Sequence, residues 1–260
     1  MTPKDLASAE PPFEIVAPGA GSDILLLCDH ASNRVPRCVA GGDLGLDPVE
    51  MARHIAYDIG ARGVTLGLSA RIGATAILSR FSRLVIDPNR GEDDPTLVMR
   101  LYDGTIVPAN RRVTPEEVER RLAAFHRPYH AAIGAEIDRR MAAGRPPVLI
   151  AIHSFTPKLI AGRPRPWHVG VLWHRDGRVA LPLIERLRRE ADLCVGENQP
   201  YDGQLEGDTL SRHGTRRGLP HVLIELRHDL IDTEAGQAAW AERLAPILEA
   251  VAGGLEMGES

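Results

Sequence analysis

Apolar runs that suit β-strands alternate with helical patterns from about residue 23 onward, the order expected of an α/β fold with a largely parallel or mixed sheet. The first run, DILLLC at 23–28, is apolar without alternation, as expected of a strand covered on both faces, and it ends directly in Asp29-His30-Ala31-Ser32-Asn33. Further strands are predicted at ATAILS, RLVID and PVLIAI, within WHVGVLW, and at HVLIEL. Asp47-Pro48-Val49-Glu50 reads as a capped helix start, with Met51, Ile55 and Ile59 along one face. Thr114-Pro115-Glu116-Glu117 reads as a second start, backed by a stripe from Val118 through Phe125, Tyr129 and Ile133 to Met141; Gly144 and the two prolines after it end that helix. Leu183, Ile184 and Leu187 mark a third helix, and Trp240, Leu244, Ile247 and Val251 a last one.

Polar clusters repeatedly follow the apolar runs, and in open α/β sheets ligands bind just beyond the carboxyl ends of the strands. Four such ends carry capable side chains: Asp29 to Asn33, Asp87-Pro88-Asn89-Arg90, His153-Ser154-Phe155 and Glu225-Leu226-Arg227. A catalytic zinc takes three protein ligands and an open position. His30 and His153 fit two of them, and the residue three past His30, Asn33, is placed to reach the same ion. Glu225 is then the candidate general base, and Arg90 offers a fork of donors suited to a substrate carboxylate or a developing oxyanion. Each residue alone also has a plainer reading: a hydrogen-bonded strand-end histidine, an Asp–Arg surface pair, or Glu225 paired with Arg227 or Arg90.

Composition narrows the setting. The 260 residues suit one sizeable core, and 43% hydrophobic with 25% charged residues is ordinary for a globular protein. A formal charge of -4 lacks the basic excess of a nucleic-acid or anionic-membrane partner. No run approaches a membrane span, and the N-terminus carries charges and prolines where a signal peptide is apolar. Residues 1–22 read as a mobile lead-in and 23–255 as a single catalytic domain. Three cysteines with no C-x-x-C pair suggest a reducing, cytoplasmic location. Ten histidines make metal or acid/base chemistry the question to ask.

The order H-A-S-N, N-R, H-S-F, E-L-R is similar to that of the zinc carboxypeptidase and aspartoacylase-like architecture. More closely, CDHASNRVP, SRLVIDPNR, FHRPYH, AIHSFTP and GLPHVLIELRHDLI resemble the N-formylglutamate amidohydrolase family, over about residues 24 to 232. The resemblance implies a three-layer α/β/α domain with a central mixed, largely parallel sheet of phosphorylase/hydrolase-like type. It also implies hydrolysis of the amide of a small, acidic N-formyl or N-acyl amino acid, in the named enzyme the last step of histidine degradation, by a monomer or small homo-oligomer. Carried over, His30 and His153 fall on zinc-ligand positions, Asn89 and Arg90 on the substrate-holding pair, and Glu225 on the general base, with Arg90 or Arg83 steadying the oxyanion. Where the carboxypeptidase pattern has a carboxylate, this chain has Asn33, a poorer ligand for Zn2+ or another divalent metal. Either Asn33 binds weakly, Asp29 or another carboxylate completes the site, or the metal is easily lost. Besides the hydrolase, a ligand-binding member without activity and a deacylase for a different acyl group stay open.

His126 and His130 share a helical face, but Arg127 stands where H-E-x-x-H has its Glu and Pro128 lies inside the pair, so that zinc motif is rejected. His130, Tyr201, His213 and Arg227 are candidate substrate contacts, while His221 and His228, which flank the Glu225 strand, are not assigned to metal and Cys28 reads as a buried structural thiol. No nucleophile elbow, P-loop or dinucleotide loop is present.

Overall fold

The computed structural model describes residues 10–203 and 206–255. In chain order the strands are β1 (Phe13–Val16), β2 (Ile24–Cys28), β3 (Thr75–Ser79), the short hairpin β4 (Leu101–Tyr102) and β5 (Thr105–Ile106), β6 (Val148–Phe155), β7 (Val169–Leu172), β8 (Val195–Glu197) and β9 (His221–Arg227). The helices are α1 (Pro48–Met51), α2 (Ala61–Ile72), α3 (Pro115–Arg121), α4 (Arg127–Ala142), α5 (Ala180–Leu187), α6 (Thr209–His213) and α7 (Glu234–Gly253). Seven strands form one sheet in the order β1-β3-β2-β6-β9-β7-β8. Its centre, β3-β2-β6-β9, is parallel throughout; β1 and β7 join it antiparallel, and β8 runs parallel to β7.

The period of two along the central strands builds two cores. Leu26, Cys28, Ile150, Ile152, Val222 and Ile224 face α2 and α7, while Leu25, Leu27, Leu149, Ala151 and Leu223 face Tyr129, Ile133 and Ile137 of α4. The result is the three-layer α/β/α arrangement with a mixed, largely parallel sheet. The chain steps from β2 to β3 on one side, and β6 lies on the other side of β2. The change of direction in strand order therefore falls between β2 and β6, where such folds leave a crevice.

Several local expectations are corrected. Within 1–22, read as a lead-in, Phe13–Val16 is an edge strand paired with β3 from Phe13↔Ser79 to Val16↔Ala76, while residues 1–9 lie outside the described residues. RLVID forms turns instead of a strand: Arg83 donates to Asp87 at 2.7 Å, whereas four extended steps would separate them by ~13 Å. Leu84, Val85 and Ile86 are apolar because they fill a third core with Phe81 and Phe125. The helix capped by Asp47 ends at Met51, and the Asp58 N–H then reaches the His30 carbonyl at 3.0 Å, drawing the chain to the end of β2. His153 to Phe155 lie inside β6, not beyond it.

Two elements depend on glycine or proline. α2 carries Gly63 and Gly67, where a Cβ would come within 1.8 Å of the Gln237 side chain and 2.8 Å of the Ala241 Cβ; their bareness lets α2 lie close against α7. Between α3 and α4 the helix widens into a π turn at Leu122–His126, and Pro128, with no N–H to give, is the second residue after it.

Gly60 caps α2 at φ 79°, and a Cβ there would meet the Ile231 carbonyl oxygen at 2.0 Å. Gly73 closes the same helix at φ 58° with nothing within 4 Å of a Cβ. Denaturant titration is expected to give a loss of ~3 kcal/mol or more for Gly60→Ala and ~1–2 kcal/mol for Gly73→Ala. Equal losses would contradict the packing at Gly60.

Candidate metal centre

The rows of side chains that are apolar in the core turn polar at the strand ends. Leu25 and Leu27 lead to Asp29, Leu149 and Ala151 to His153, and Leu223 to Glu225, all on the α4 side of the sheet, with His153 and Glu225 register partners across β6 and β9. His30 follows Asp29. Asp58, on the turn before α2, completes the group: His30, Asp58 and His153 are buried, and one potential ligand atom from each lies within 4.8 Å of the others.

The hydrogen bonds orient both imidazoles. His153 Nδ1 is 2.8 Å and His30 Nδ1 3.3 Å from Asp58 Oδ2. The opposite nitrogens are held from behind, His153 Nε2 by Asp29 Oδ2 at 3.0 Å and His30 Nε2 by Asp87 Oδ1 at 2.6 Å. A carboxylate behind each histidine, with the other nitrogen turned inward, is the arrangement that fixes metal-ligating imidazoles. Asp29 also accepts from the Tyr129 hydroxyl at 2.9 Å and the Thr209 hydroxyl at 2.8 Å. Arg83 spans Asp87 at 2.7 Å and Asp58 at 3.5 Å. Two imidazoles and one carboxylate are a donor set suited to a divalent metal of the zinc type with a position left open.

Burial and partners set the charges. Burial pushes the Asp58 carboxyl up, but His30 and His153 hold it far below the usual carboxylate range. Asp87 is held well below by Arg83 and His30 against the same burial. Burial pushes the His153 imidazole down, but Asp29 and Asp58 hold it well above its ordinary value. Glu225 differs. Burial, with Asp58 adding to it and His153 opposing, pushes its carboxyl up to about 7, and its buried Oε2 has no hydrogen-bond partner.

The cluster and Glu225 open into a cavity of about 700 Å³, lined also by Arg83, Asn89, Arg90, Tyr102, Tyr201 and Asp208. Asn89 is buried, with its side-chain oxygen accepting from the Thr209 N–H at 3.1 Å; Arg90 is half-buried and donates to Thr96 and to the Asn89 carbonyl. Tyr201 stands at the mouth, with its ring under the Arg165 guanidinium at 5.0 Å.

Other sequence expectations fall elsewhere. Asn33 is exposed, donates to the Met51 carbonyl at 2.9 Å and lines a separate surface depression, so it does not join His30 and His153. The turn after β2 covers only Asp29 and His30, and the chain that follows carries Asn33 out to the surface. Arg227 donates to Asp229 at 2.8 Å and does not line the cavity. His130 and His213 lie behind the wall, bonded to each other at 3.0 Å. The residue that sequence reasoning missed is Asp58, absorbed there into the flank of a longer helix. The available signal was an acid inside the run Ile55-Ala56-Tyr57-Asp58-Ile59 immediately before Gly60.

A family model described as N-formylglutamate amidohydrolase matches residues 22–232. An N-formylglutamate deformylase of Pseudomonas aeruginosa is 28% identical over 237 residues, covering 86% of this chain and 84% of that protein. That of Pseudomonas putida is 27% identical over 190 residues, 67% and 70% of the two chains. Among solved structures, a gene product of Agrobacterium tumefaciens superposes with a TM-score of 0.89 at 34% identity, covering 95% of this chain and 97% of that one. An N-formylglutamate amidohydrolase from Ralstonia eutropha JMP134 shares the fold, with a TM-score of 0.68 at 24% identity over 96% and 100% of the two chains.

Because Glu225 is raised to about 7 from an ordinary 4.5, the folded metal-free protein holds a proton there that the unfolded chain has lost. Its contribution to stability is full below about 4.5 and is lost as pH rises through about 7. Glu225→Gln, neutral at every pH, is expected to raise the Tm of the metal-free protein more at pH 8 than at pH 5, by scanning calorimetry; equal shifts would refute the raised carboxyl.

Proposed function

The chain belongs to the N-formylglutamate amidohydrolase family, and from that membership and the geometry of the cavity we propose that it hydrolyses the amide of a small N-formyl or N-acyl amino acid. N-formyl-L-glutamate, giving formate and glutamate, is the favoured substrate, as the names of the Pseudomonas relatives support. His30, Asp58 and His153 hold a divalent metal, Zn2+ by the chemistry of the donors. The metal supplies a positive charge that acidifies water and polarises the acyl carbonyl.

The residues of the chain divide the remaining work. Glu225 accepts the proton of the attacking water and returns it to the amine nitrogen as the C–N bond breaks, so water and amide become a carboxylic acid and an amine, and the acid then gives its proton to the amine. A carboxyl that burial pushes above its ordinary value is suited to return a proton as well as to accept one. Arg90, with Asn89 beside it, receives the substrate carboxylate. Arg83 is already engaged by Asp87 and Asp58, and we assign it to holding those carboxylates. The observation that carries the proposal is the buried, unpartnered Oε2 of Glu225 beside the three donors. The reading of a binding protein without metal rested on Asn33, and Asp58 supplies the carboxylate that Asn33 lacks. Three free cysteines favour a cytoplasmic setting.

Formate release from N-formyl-L-glutamate by zinc-loaded protein tests the reaction. Glu225→Gln is expected to keep its metal and lose ~10²–10⁴-fold in kcat; retained turnover would sink the assignment. Asp29→Asn, which removes the charge behind His153 and leaves the three donors in place, is expected to weaken metal binding ~10–100-fold, and Asp58→Ala more than that, by titration against a chelator. The opposite ranking would show that Asp58 is not a ligand.

A further inference from the structure

Three histidines behind the cavity take no part in the reaction above. His126 ends the π turn and His130 lies four residues on in α4, with ring centroids 4.5 Å apart. His213 of α6 stacks on His130 with centroids 5.2 Å apart and planes 22° from parallel. All three are buried and none lines the cavity. Their polar atoms converge on one short stretch of chain. His130 Nε2 is 2.9 Å from the Pro88 carbonyl oxygen, and His126 Nε2 is 3.0 Å from the Arg90 carbonyl oxygen.

A carbonyl only accepts, so both Nε2 atoms carry the proton. His130 Nδ1 is then a lone pair, and His213 Nε2, 3.0 Å away, donates to it. Burial also holds all three imidazoles below their ordinary value, with His213 pushed down to about 4, so the donor pattern persists at neutral pH.

The segment they hold lies in neither helix nor strand. Its two carbonyls flank Asn89, whose N–H is taken by Asp87 at 2.9 Å and whose side-chain oxygen by Thr209 at 3.1 Å. The histidine column thus gives each of the two carbonyls its shorter bond, the Thr209 hydroxyl adding only a long one to the Pro88 oxygen at 3.5 Å, and beyond the backbone the Arg90 guanidinium is steadied by Thr96. π turns of this kind are concentrated at functional sites.

We propose that His126 and His130, with His213 locking the tautomer of His130, are positioning residues that aim Arg90 and Asn89 at the substrate carboxylate. The inference rests on the reading of Arg90 given under Proposed function. Arg90 binds a part of the substrate that does not react, so loosening it weakens ground and transition states alike, raising KM while sparing kcat.

The experiment uses the full, zinc-loaded chain with N-formyl-L-glutamate. His130→Leu is expected to raise KM at least tenfold with kcat within threefold of native and metal content unchanged. His130→Gln keeps a donor at similar reach and is expected to return KM to within threefold of native. In an Arg90→Ala background, His130→Leu is expected to add less than threefold, because the contact it positions is already gone. Equal impairment by Leu and Gln, full multiplication of the two effects, or loss of kcat and metal with KM unchanged would each overturn the inference. An Arg90→Ala variant with native KM would instead overturn the reading of Arg90, and the inference with it. Should His130→Leu not fold, His126→Leu and His126→Gln enter the same cycle, since His126 reaches the Arg90 carbonyl by its own bond.

Discussion

The site depends on one buried carboxylate. A charge as enclosed as that of Asp58 costs several kcal/mol unless it is paired and hydrogen-bonded, and each neighbour can be read as part of that compensation. His153 and His30 meet one oxygen, the Ser154 N–H meets the same oxygen at 3.2 Å, and Arg83 approaches the other. Arg83 binds Asp87 in turn, and Asp87 holds both His30 and the backbone of Asn89. The network closes on itself. The side chains proposed to hold a metal and the segment proposed to hold a substrate are therefore parts of one electrostatic unit, and neither can shift alone.

The same residue rows serve packing and chemistry. α4 covers Leu25, Leu27, Leu149 and Ala151 with Tyr129, Ile133 and Ile137, then gives the Tyr129 hydroxyl to Asp29 where the sheet ends. Glu225 is the exception to this compensation. Its unpartnered oxygen is tolerable because the carboxyl is raised enough to stay largely protonated until near neutrality.

Much of the layout could be read from the chain because the central strands are continuous apolar runs that end in charged or polar residues. DILLLC, PVLIAI and HVLIEL gave β2, β6 and β9, and with them His30, His153 and Glu225. What could not be read had physical reasons. α2 was hidden because glycines needed for its contact with α7 depress the helical signal. RLVID has a strand's composition, yet its apolar residues fill a core beneath turns held by Arg83 and Asp87. Asp58 is brought to His30 by a backbone bond between residues far apart in sequence, which no local spacing announces. Asn33 satisfied a spacing rule, but the turn leaving β2 is spent on Asp29 and His30, and Asn33 lies past it on the surface, bonded to Met51.

The order of strands across the sheet has a consequence for how the site comes into being. β2, β6 and β9 are side by side, yet they begin at Ile24, Val148 and His221. Closing such long loops delays non-local pairing during folding. A nascent chain that has not reached β9 lacks both Glu225 and the strand that flanks His153, leaving the acids at the end of β2 and on the Asp58 turn beside an open sheet edge. A chain stopped short of β9 would carry the three metal donors without the proposed general base, so chemical competence waits on the arrival of that strand.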